Sequence, residues 1–293
     1  MVELIQLSDE QLIDLQQKNL EITKYFVSFC EKHNLRVYLH AGALLGAVRH
    51  HGFIPWDDDI DMAMPAPDYD KLLQVWERDA DTKKYALTYQ SKSYNDHRLS
   101  STIHDNDTTF ITLASVDTDG NQGLGIDFGP LHAAPESRIG QKFQLLCASG
   151  SCLFKASRLP NRQSKKVYIA SKILLGIFSS PNVRYYIWKT LEYLATLPDR
   201  NYEEHTYLRE FTMFPYISWL FPKKWFEASV YLPFEDTELP TLNGYENYLS
   251  KRYGDYMKLP PEKERHPEHR IVFMDLNTPY KEYRGKKYFV KKG

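Results

Sequence analysis

Cysteine is scarce in this chain, with only Cys30, Cys147 and Cys152 among 293 residues. So small and odd a set makes neither a disulfide framework nor a zinc site. No apolar run reaches the roughly 18 residues of a membrane span. The opening MVELIQLSDEQL lacks both a basic n-region and an apolar signal core, which points to the cytoplasm. Net charge is nearly absent too: 37 Lys and Arg against 38 Asp and Glu leave −1, and no nucleic-acid partner is expected. Pro/Gly/Ser-rich linkers and internal repeats are missing, so residues 1–293 read as a single unit. Within it we expect a core over about 1–135, a basic, mostly helical segment over about 136–220, and a C-terminal part over about 221–293.

Against these absences one stretch stands out, LHAGALLGAVRHHGFIPWDDDIDMAM, Leu39 to Met64. It sets Asp57, Asp58, Asp59 and Asp61 among the apolar Ile60, Met62 and Met64. If Asp59 to Met64 is a strand, side chains alternate between faces and Asp59 and Asp61 point the same way. Two like charges about 4 Å apart repel by roughly 4 kcal/mol at an effective dielectric of about 20. A divalent cation with oxygen ligands, Mg²⁺ or Mn²⁺, is the most economical offset. The plainer reading is a solvated acidic turn; the alternation and the upstream glycines weigh against it.

Those glycines carry a second pattern. Val37 to His40 reads as a short buried strand, Ala41-Gly42 as a turn, and Ala43 to His50 as a short helix closed by Gly52. A helix that opens straight after a strand presents free backbone N–H groups, which suit a phosphate. Gly42 alone would signal only a turn. The order strand, Gly-Ala helix start, Asp-x-Asp strand resembles the nucleotidyltransferase superfamily, in which the glycine turn holds nucleotide phosphates and two aspartates hold the metal.

The words of the sequence sharpen the resemblance. LLGAVRHHGFIPWDDDIDMAMP is similar to the signature of the LicD family of phosphocholine and alditol-phosphate transferases. Asn106 to Ile111, Gly125 to Phe128 and Tyr253 to Pro261 agree with it, so the likeness runs from about Leu7 to His269 with a weaker middle. It implies an α+β fold with a nucleotidyltransferase-like core, a mixed β-sheet flanked by helices. It also implies a third carboxylate on a neighbouring strand. Asp127, between Ile126 and Phe128, fits, because an acid in an apolar strand is costly unless paired or metal-bound. Asp59, Asp61 and Asp127 would then hold the metal, with Asp127 also accepting the proton of the attacking hydroxyl. Gly42 and Ala43 would donate backbone N–H groups to phosphate oxygens, and Arg49 would offset leaving-group charge. One departure is visible: the family's usual Phe-Pro-Leu-Asp reads Phe128-Gly129-Pro130-Leu131-His132 here, which bears on the acceptor's seat rather than on the metal.

Elsewhere, Ser8 to His33 is expected to be an amphipathic helix with capping-box spacing at Ser8 and Gln11, and Pro65 to Ala80 a second helix. Tyr85 to Phe128 reads as β-rich. The pair His266 and His269 has i, i+3 spacing, but Pro267 between them favours exposed or outer-sphere histidines over a metal site. Between Glu136 and Glu192 there is no acidic residue, while Arg138, Lys142, Lys155, Arg158, Arg162, Lys165, Lys166, Lys172, Arg184 and Lys189 all fall there. Val167 to Phe178 and Tyr185 to Leu197 read as apolar, aromatic-rich helices inside that interval. Such a lobe is either neutralised by the acidic core or docks on an anionic membrane or polyanionic acceptor.

The resemblance implies transfer of phosphocholine from CDP-choline to a hydroxyl of a cell-surface glycan of teichoic acid or lipopolysaccharide type, with release of CMP. A choline site needs aromatic faces, and the 14% aromatic content supplies material for one. Two alternatives stay open: ribitol or glycerol phosphate from a CDP-alditol, and an inactive glycan- or lipid-binding module. A lipid-linked acceptor would bring the enzyme to the inner face of the cell membrane.

Overall fold

Ser8 and Gln11 close the first helix with a reciprocal cap: the Gln11 N–H donates to Ser8 Oγ at 3.2 Å, and the Ser8 N–H to Gln11 Oε1 at 2.9 Å. From there the structure, a computed structural model describing residues 3–160 and 164–290, runs α1 (Asp9–Lys32), β1 (Tyr38–Leu39), α2 (Ala41–His50), β2 (Asp61–Pro65) and α3 (Ala66–Asp79). The β-rich stretch holds β3 (Tyr85–Thr88), β4 (Ser101–Asp105), β5 (Thr109–Thr112) and β6 (Gly125–Ala134). Three helices follow, α4 (Arg138–Ala156), α5 (Lys165–Ile177) and α6 (Pro181–Ala195). The chain ends with β7 (Tyr207–Glu210), β8 (Phe221–Pro222), β9 (Ser229–Phe234), β10 (Thr237–Leu242), α7 (Tyr245–Tyr253) and β11 (Ile271–Asp275). No described helix is long and apolar enough to cross a membrane.

The architecture is α+β. Seven strands form a mixed sheet in the order β1-β2-β6-β4-β3, with β7 added to β6 and β8 to β7. Only β2 and β6 run parallel within it. Helices α1 and α3 cover one face through an aromatic seam. The Phe26 ring lies 4.8 Å from Phe128 on β6, and Phe29 lies 4.7 Å from Trp76 on α3. Leu15, Ile22, Phe26 and Trp76 are fully buried, and each such side chain contributes about 1.5–3 kcal/mol relative to exposure.

Strand β6 has an interrupted edge. Its first half pairs with β4 and its second half, from Leu131, with β7, both on the side opposite β2. Gly129 and Pro130 lie between the two partners, and proline has no N–H to give a ladder. Thr212, just beyond β7, fills this breach; a Cβ on Gly129 would stand 2.2 Å from its Cγ2.

Two expectations need correcting. The acidic strand begins at Asp61, so Asp59 precedes it rather than sharing its pleat. The reason is Asp58: its buried carboxylate accepts the backbone N–H groups of Glu268 and His269 at 3.2 and 3.1 Å, which bends the chain out of strand geometry. Gln16 and Asn19 of α1 hold the loop from the other side, donating to the carbonyls of Asp57 and Asp58. The basic segment is also less separate than expected, since β7 returns from it into the main sheet. Arg162 lies outside the described residues.

Helix α2 is held tightly against the loop that follows it. A Cβ on Gly46 would come within 2.4 Å of the Gly52 carbonyl oxygen and 3.3 Å of the Ile54 nitrogen, both backbone atoms. Gly46→Ala is therefore expected to lower stability by about 1–3 kcal/mol, despite the better helix propensity of alanine, as measured by denaturant unfolding. A neutral or stabilising substitution would contradict this packing.

Candidate active site

The parallel pairing of β2 with β6 places Asp61 directly opposite Asp127. Partners in register project to the same face of a sheet, so the two carboxylates share one surface. The next element of the same surface comes from β7, where Glu210 pairs with Leu131, itself in phase with Asp127 along β6. Asp59 reaches the group from the loop, and its carboxylate interacts with those of Asp58 and Asp127. Ligand atoms of Asp57, Asp58 and Asp59 also lie within 4.8 Å of one another.

So many acids in one place cannot all be ionised comfortably. Burial pushes Asp57 up to about 8, with Asp59 and Asp58 adding to the effect. Burial raises Asp59 to about 6, the neighbouring His269 working the other way. Asp61 is driven well above the ordinary carboxylate range by burial and then by Asp59 and Asp127. Asp127 differs. Burial would raise it, but the Arg98 guanidinium at 2.9 Å and the hydroxyls of Thr102 (2.6 Å) and Ser100 (3.0 Å) hold it below the usual range. Two of these donors take Oδ1 and only one takes Oδ2, so a lone-pair position remains open on Oδ2.

Glu210 carries an orphan. Its Oε1 accepts from the Thr212 hydroxyl, but Oε2 is buried without a hydrogen-bond partner. The nearest basic nitrogen, His40 Nε2 at 3.6 Å, belongs to a ring that burial lowers to about 4, so it is neutral near pH 7. Arg252 acts on Glu210 through space without bonding to it, and a buried carboxylate oxygen with no hydrogen-bond partner in a cluster of acids fits a missing cation.

The start of α2 faces this group. Ala41 adopts a left-handed φ of 47°, a strained turn for a residue with a Cβ. The Asp57 carboxylate sits so close to Gly42 that a Cβ there would stand 2.8 Å from Oδ2. Gly42 is thus beside the acids, and Ala43 follows it in the first turn of α2. Arg49 is not: it lies at the far end of the helix, where Nη1 donates to the carbonyl of Tyr256 at 3.0 Å. In this position it ties α2 to the C-terminal segment.

Basic residues surround the acids, and two of them, Arg98 and Arg252, escaped the sequence reading. Arg98 pairs with Asp127, and Arg252 donates to Tyr248 Oη, which in turn meets His40 Nε2 at 2.8 Å. His269 sits with Nδ1 3.2 Å from Asp58 Oδ1 and 3.9 Å from Asp59 Oδ2. Burial opposes its protonation, but these two acids raise it to about 9. His266 is exposed and takes no part. Glu210 was not legible by the rule that found Asp127, because it stands between Arg209 and Phe211 rather than between two apolar residues. Arg98 and Arg252 had no local signal, whereas His269 belongs to the His266/His269 pair whose spacing the sequence set apart.

Two cavities flank the breach in β6. A small one of about 110 Å³ is lined by His40, Asp61, Asp127 and Glu210. A larger one of about 570 Å³, which shares Thr212 with it, is lined among others by Tyr69, Asp70, Trp188, Tyr193 and Asp199. His132 faces the larger one, bonded through Nδ1 to Asp199 at 2.6 Å and stacked on Phe211 at 4.4 Å. The departure at His132 therefore lies away from the carboxylates.

Residues 34–122 match the model of the family described as LicD/FKTN/FKRP, nucleotidyltransferase domain. The lipopolysaccharide cholinephosphotransferase LicD of Haemophilus influenzae is 28% identical over 269 residues, covering 85% of this chain and 92% of that protein. The ribitol 5-phosphate transferase FKRP of Mus musculus and of Homo sapiens is 38% identical over 55 residues, 19% of this chain and 11% of theirs. A solution structure of the antibiotic-resistance factor ANT(2'')-Ia aligns with 68% of this chain at 13% identity and a TM-score of 0.24, too loose an overlap to bear on the fold.

Proposed function

We propose that this chain, which carries a LicD-family nucleotidyltransferase domain over residues 34–122, is a phosphotransferase that moves phosphocholine from CDP-choline to a hydroxyl of a cell-surface glycan and releases CMP. The observation that carries the reading is the gathering of Asp59, Asp61, Asp127 and Glu210 beside the opening of α2. Carboxylates and a diphosphate repel, so the two can share a site only with positive charge between them. Asp59, Asp61 and Asp127, the last through Oδ2, are the residues that would hold Mg²⁺ or Mn²⁺, with Glu210 as a further negative neighbour. A divalent cation bound there neutralises diphosphate charge and aligns the donor.

The chain's own groups do the rest. The N–H groups of Gly42 and Ala43 donate to phosphate oxygens at the positive end of α2. Arg98 keeps Asp127 ionised, which makes Asp127 a steady anionic ligand but a poor proton acceptor. Glu210, with Oε2 unpartnered, takes the proton of the attacking hydroxyl instead. The acceptor oxygen bonds to the choline-bearing phosphorus as the P–O bond to CMP breaks, and CMP leaves with that electron pair. The larger cavity supports a glycan seat, since the exposed rings of Tyr89 and Tyr193 offer faces for sugar rings and Asp70 can accept hydrogen bonds from hydroxyls.

The similarity to FKRP favours a second donor class, CDP-ribitol or CDP-glycerol. Incubation with each of the three CDP donors and an acceptor glycan, reading CMP release, separates them. CDP-choline is expected to be turned over at least about tenfold faster, EDTA to abolish release, and Mg²⁺ or Mn²⁺ to restore it. Equal or faster use of an alditol donor would replace the choline assignment, and activity that survives EDTA would remove the metal. An inactive binding module would release no CMP from any donor.

A further inference from the structure

Helix α5 is inverted relative to an ordinary surface helix. Its two buried residues are Ser171 and Leu175, while Ile169, Ile173 and Ile177, spaced i, i+4, i+8, point away from the protein at 47, 55 and 67% exposure. A soluble helix turns such a stripe toward the core. Lys165, Lys166 and Lys172 lie on the same outward part of the helix, all exposed, and none makes an ion pair among the described residues. The helix is nevertheless built and held. Ser164 Oγ accepts from the Val167 N–H at its start, and Arg184 donates to the carbonyls of Leu175 (2.7 Å) and Phe178 (2.6 Å) at its end. Helix α4 repeats the motif on a smaller scale: Ile139 and Leu146 are 84 and 71% exposed, with Phe143 between them and the unpaired Arg138 and Lys142 alongside.

We infer that the outer face of α5, assisted by the exposed stripe of α4, is a docking surface for an anionic lipid bilayer. The chemistry selects this occupant over others. A polyanion without apolar groups would leave the three isoleucines in water. A second copy placed isologously would gather two sets of Lys165, Lys166 and Lys172 into one interface, with no acid between Ser137 and Leu191 to relieve them. A bilayer surface satisfies both, taking isoleucines at the acyl boundary and lysines at the phosphate level. The cations are also fewer than the sequence interval offers. Lys155, Arg158 and Arg184 are turned to backbone carbonyls and Lys189 pairs with Glu192, so they are not part of this face. The inference stands independently of the donor and the reaction.

The test is co-sedimentation of the full chain with vesicles of phosphatidylglycerol and phosphatidylcholine, and of phosphatidylcholine alone, at low and high salt. The wild type is expected to bind the anionic vesicles, to ignore the zwitterionic ones, and to lose binding as salt rises because the Debye length shortens. Two variants, Ile169→Asn/Ile173→Asn/Ile177→Asn and Lys165→Glu/Lys166→Glu/Lys172→Glu, change only exposed positions, so circular dichroism and melting should match the wild type. Each should bind anionic vesicles at least about tenfold more weakly. No binding by the wild type at low salt overturns the proposal, as does equal binding by either variant. Self-association without lipid that the isoleucine variant abolishes would also overturn it, in favour of a second copy.

Discussion

Asp61→Asn is expected to lower transfer by about a thousandfold while raising the melting temperature of the protein in EDTA. The two effects have one cause. Asp61 is pushed well above the usual carboxylate range, first by burial and then by Asp59 and Asp127. Asparagine keeps the shape, removes a charge that the folded metal-free protein accommodates poorly, and takes away an anionic ligand. Relief of about 1 kcal/mol would raise the melting temperature by roughly 2–3 °C in a chain of this size. Added Mg²⁺ or Mn²⁺ should stabilise the wild type and do much less for the variant, because a ligand at free concentration L stabilises the folded state by RT ln(1 + L/Kd) and the variant binds it more weakly. A variant keeping more than about a tenth of wild-type turnover would remove Asp61 from the site. A lower melting temperature in EDTA would show that the carboxylate has a favourable partner in the folded protein.

How much of this was written in the sequence differs from element to element. The cap at Ser8 and Gln11 is a local contact between residues three apart, and it formed as its spacing demands. Asp127 was recognisable as an acid in an apolar strand, and the parallel register then set it opposite Asp61. The departure of Asp59 from the strand was not readable, because it depends on Asp58 being capped by backbone N–H groups some 210 residues further along the chain. The same distance hid the partners of His269, though not the residue itself. Arginine poses the opposite problem: the chain has many, and nothing local distinguishes Arg98, which pairs with Asp127, from Arg49, which ties a helix end to a loop. Helix α4 also gave little periodic signal, because part of its apolar surface is left exposed and its buried side includes Gln144, Ser151 and two cysteines.

Arg98→Met should produce the converse of Asp61→Asn: loss of activity with loss of stability. In the wild type, Arg98 Nη1 donates to Asp127 Oδ1 at 2.9 Å and to Thr102 Oγ1 at 3.3 Å. It also lies near Asp96, so it is a principal positive charge beside the acids. Methionine fills similar volume but leaves Asp127 facing Asp59 and Asp61 with only hydroxyl donors, and a charge stripped of its partner is worse than a neutral site. Its melting temperature in EDTA should fall, and turnover should drop by about 10²–10³, the usual range for removing a single charge-stabilising donor from a reaction site. Arg98→Lys separates the two contributions. A lysine restores a point charge and should recover most of the stability, but its single ammonium cannot face Asp127 and Asp96 together as Nη1 and Nε of the guanidinium do, at 2.9 and 3.9 Å. If lysine restores turnover fully, Arg98 acts by charge alone; if methionine leaves turnover above about a tenth of wild type, Asp127 does not need its arginine and its place among the ligands falls with it.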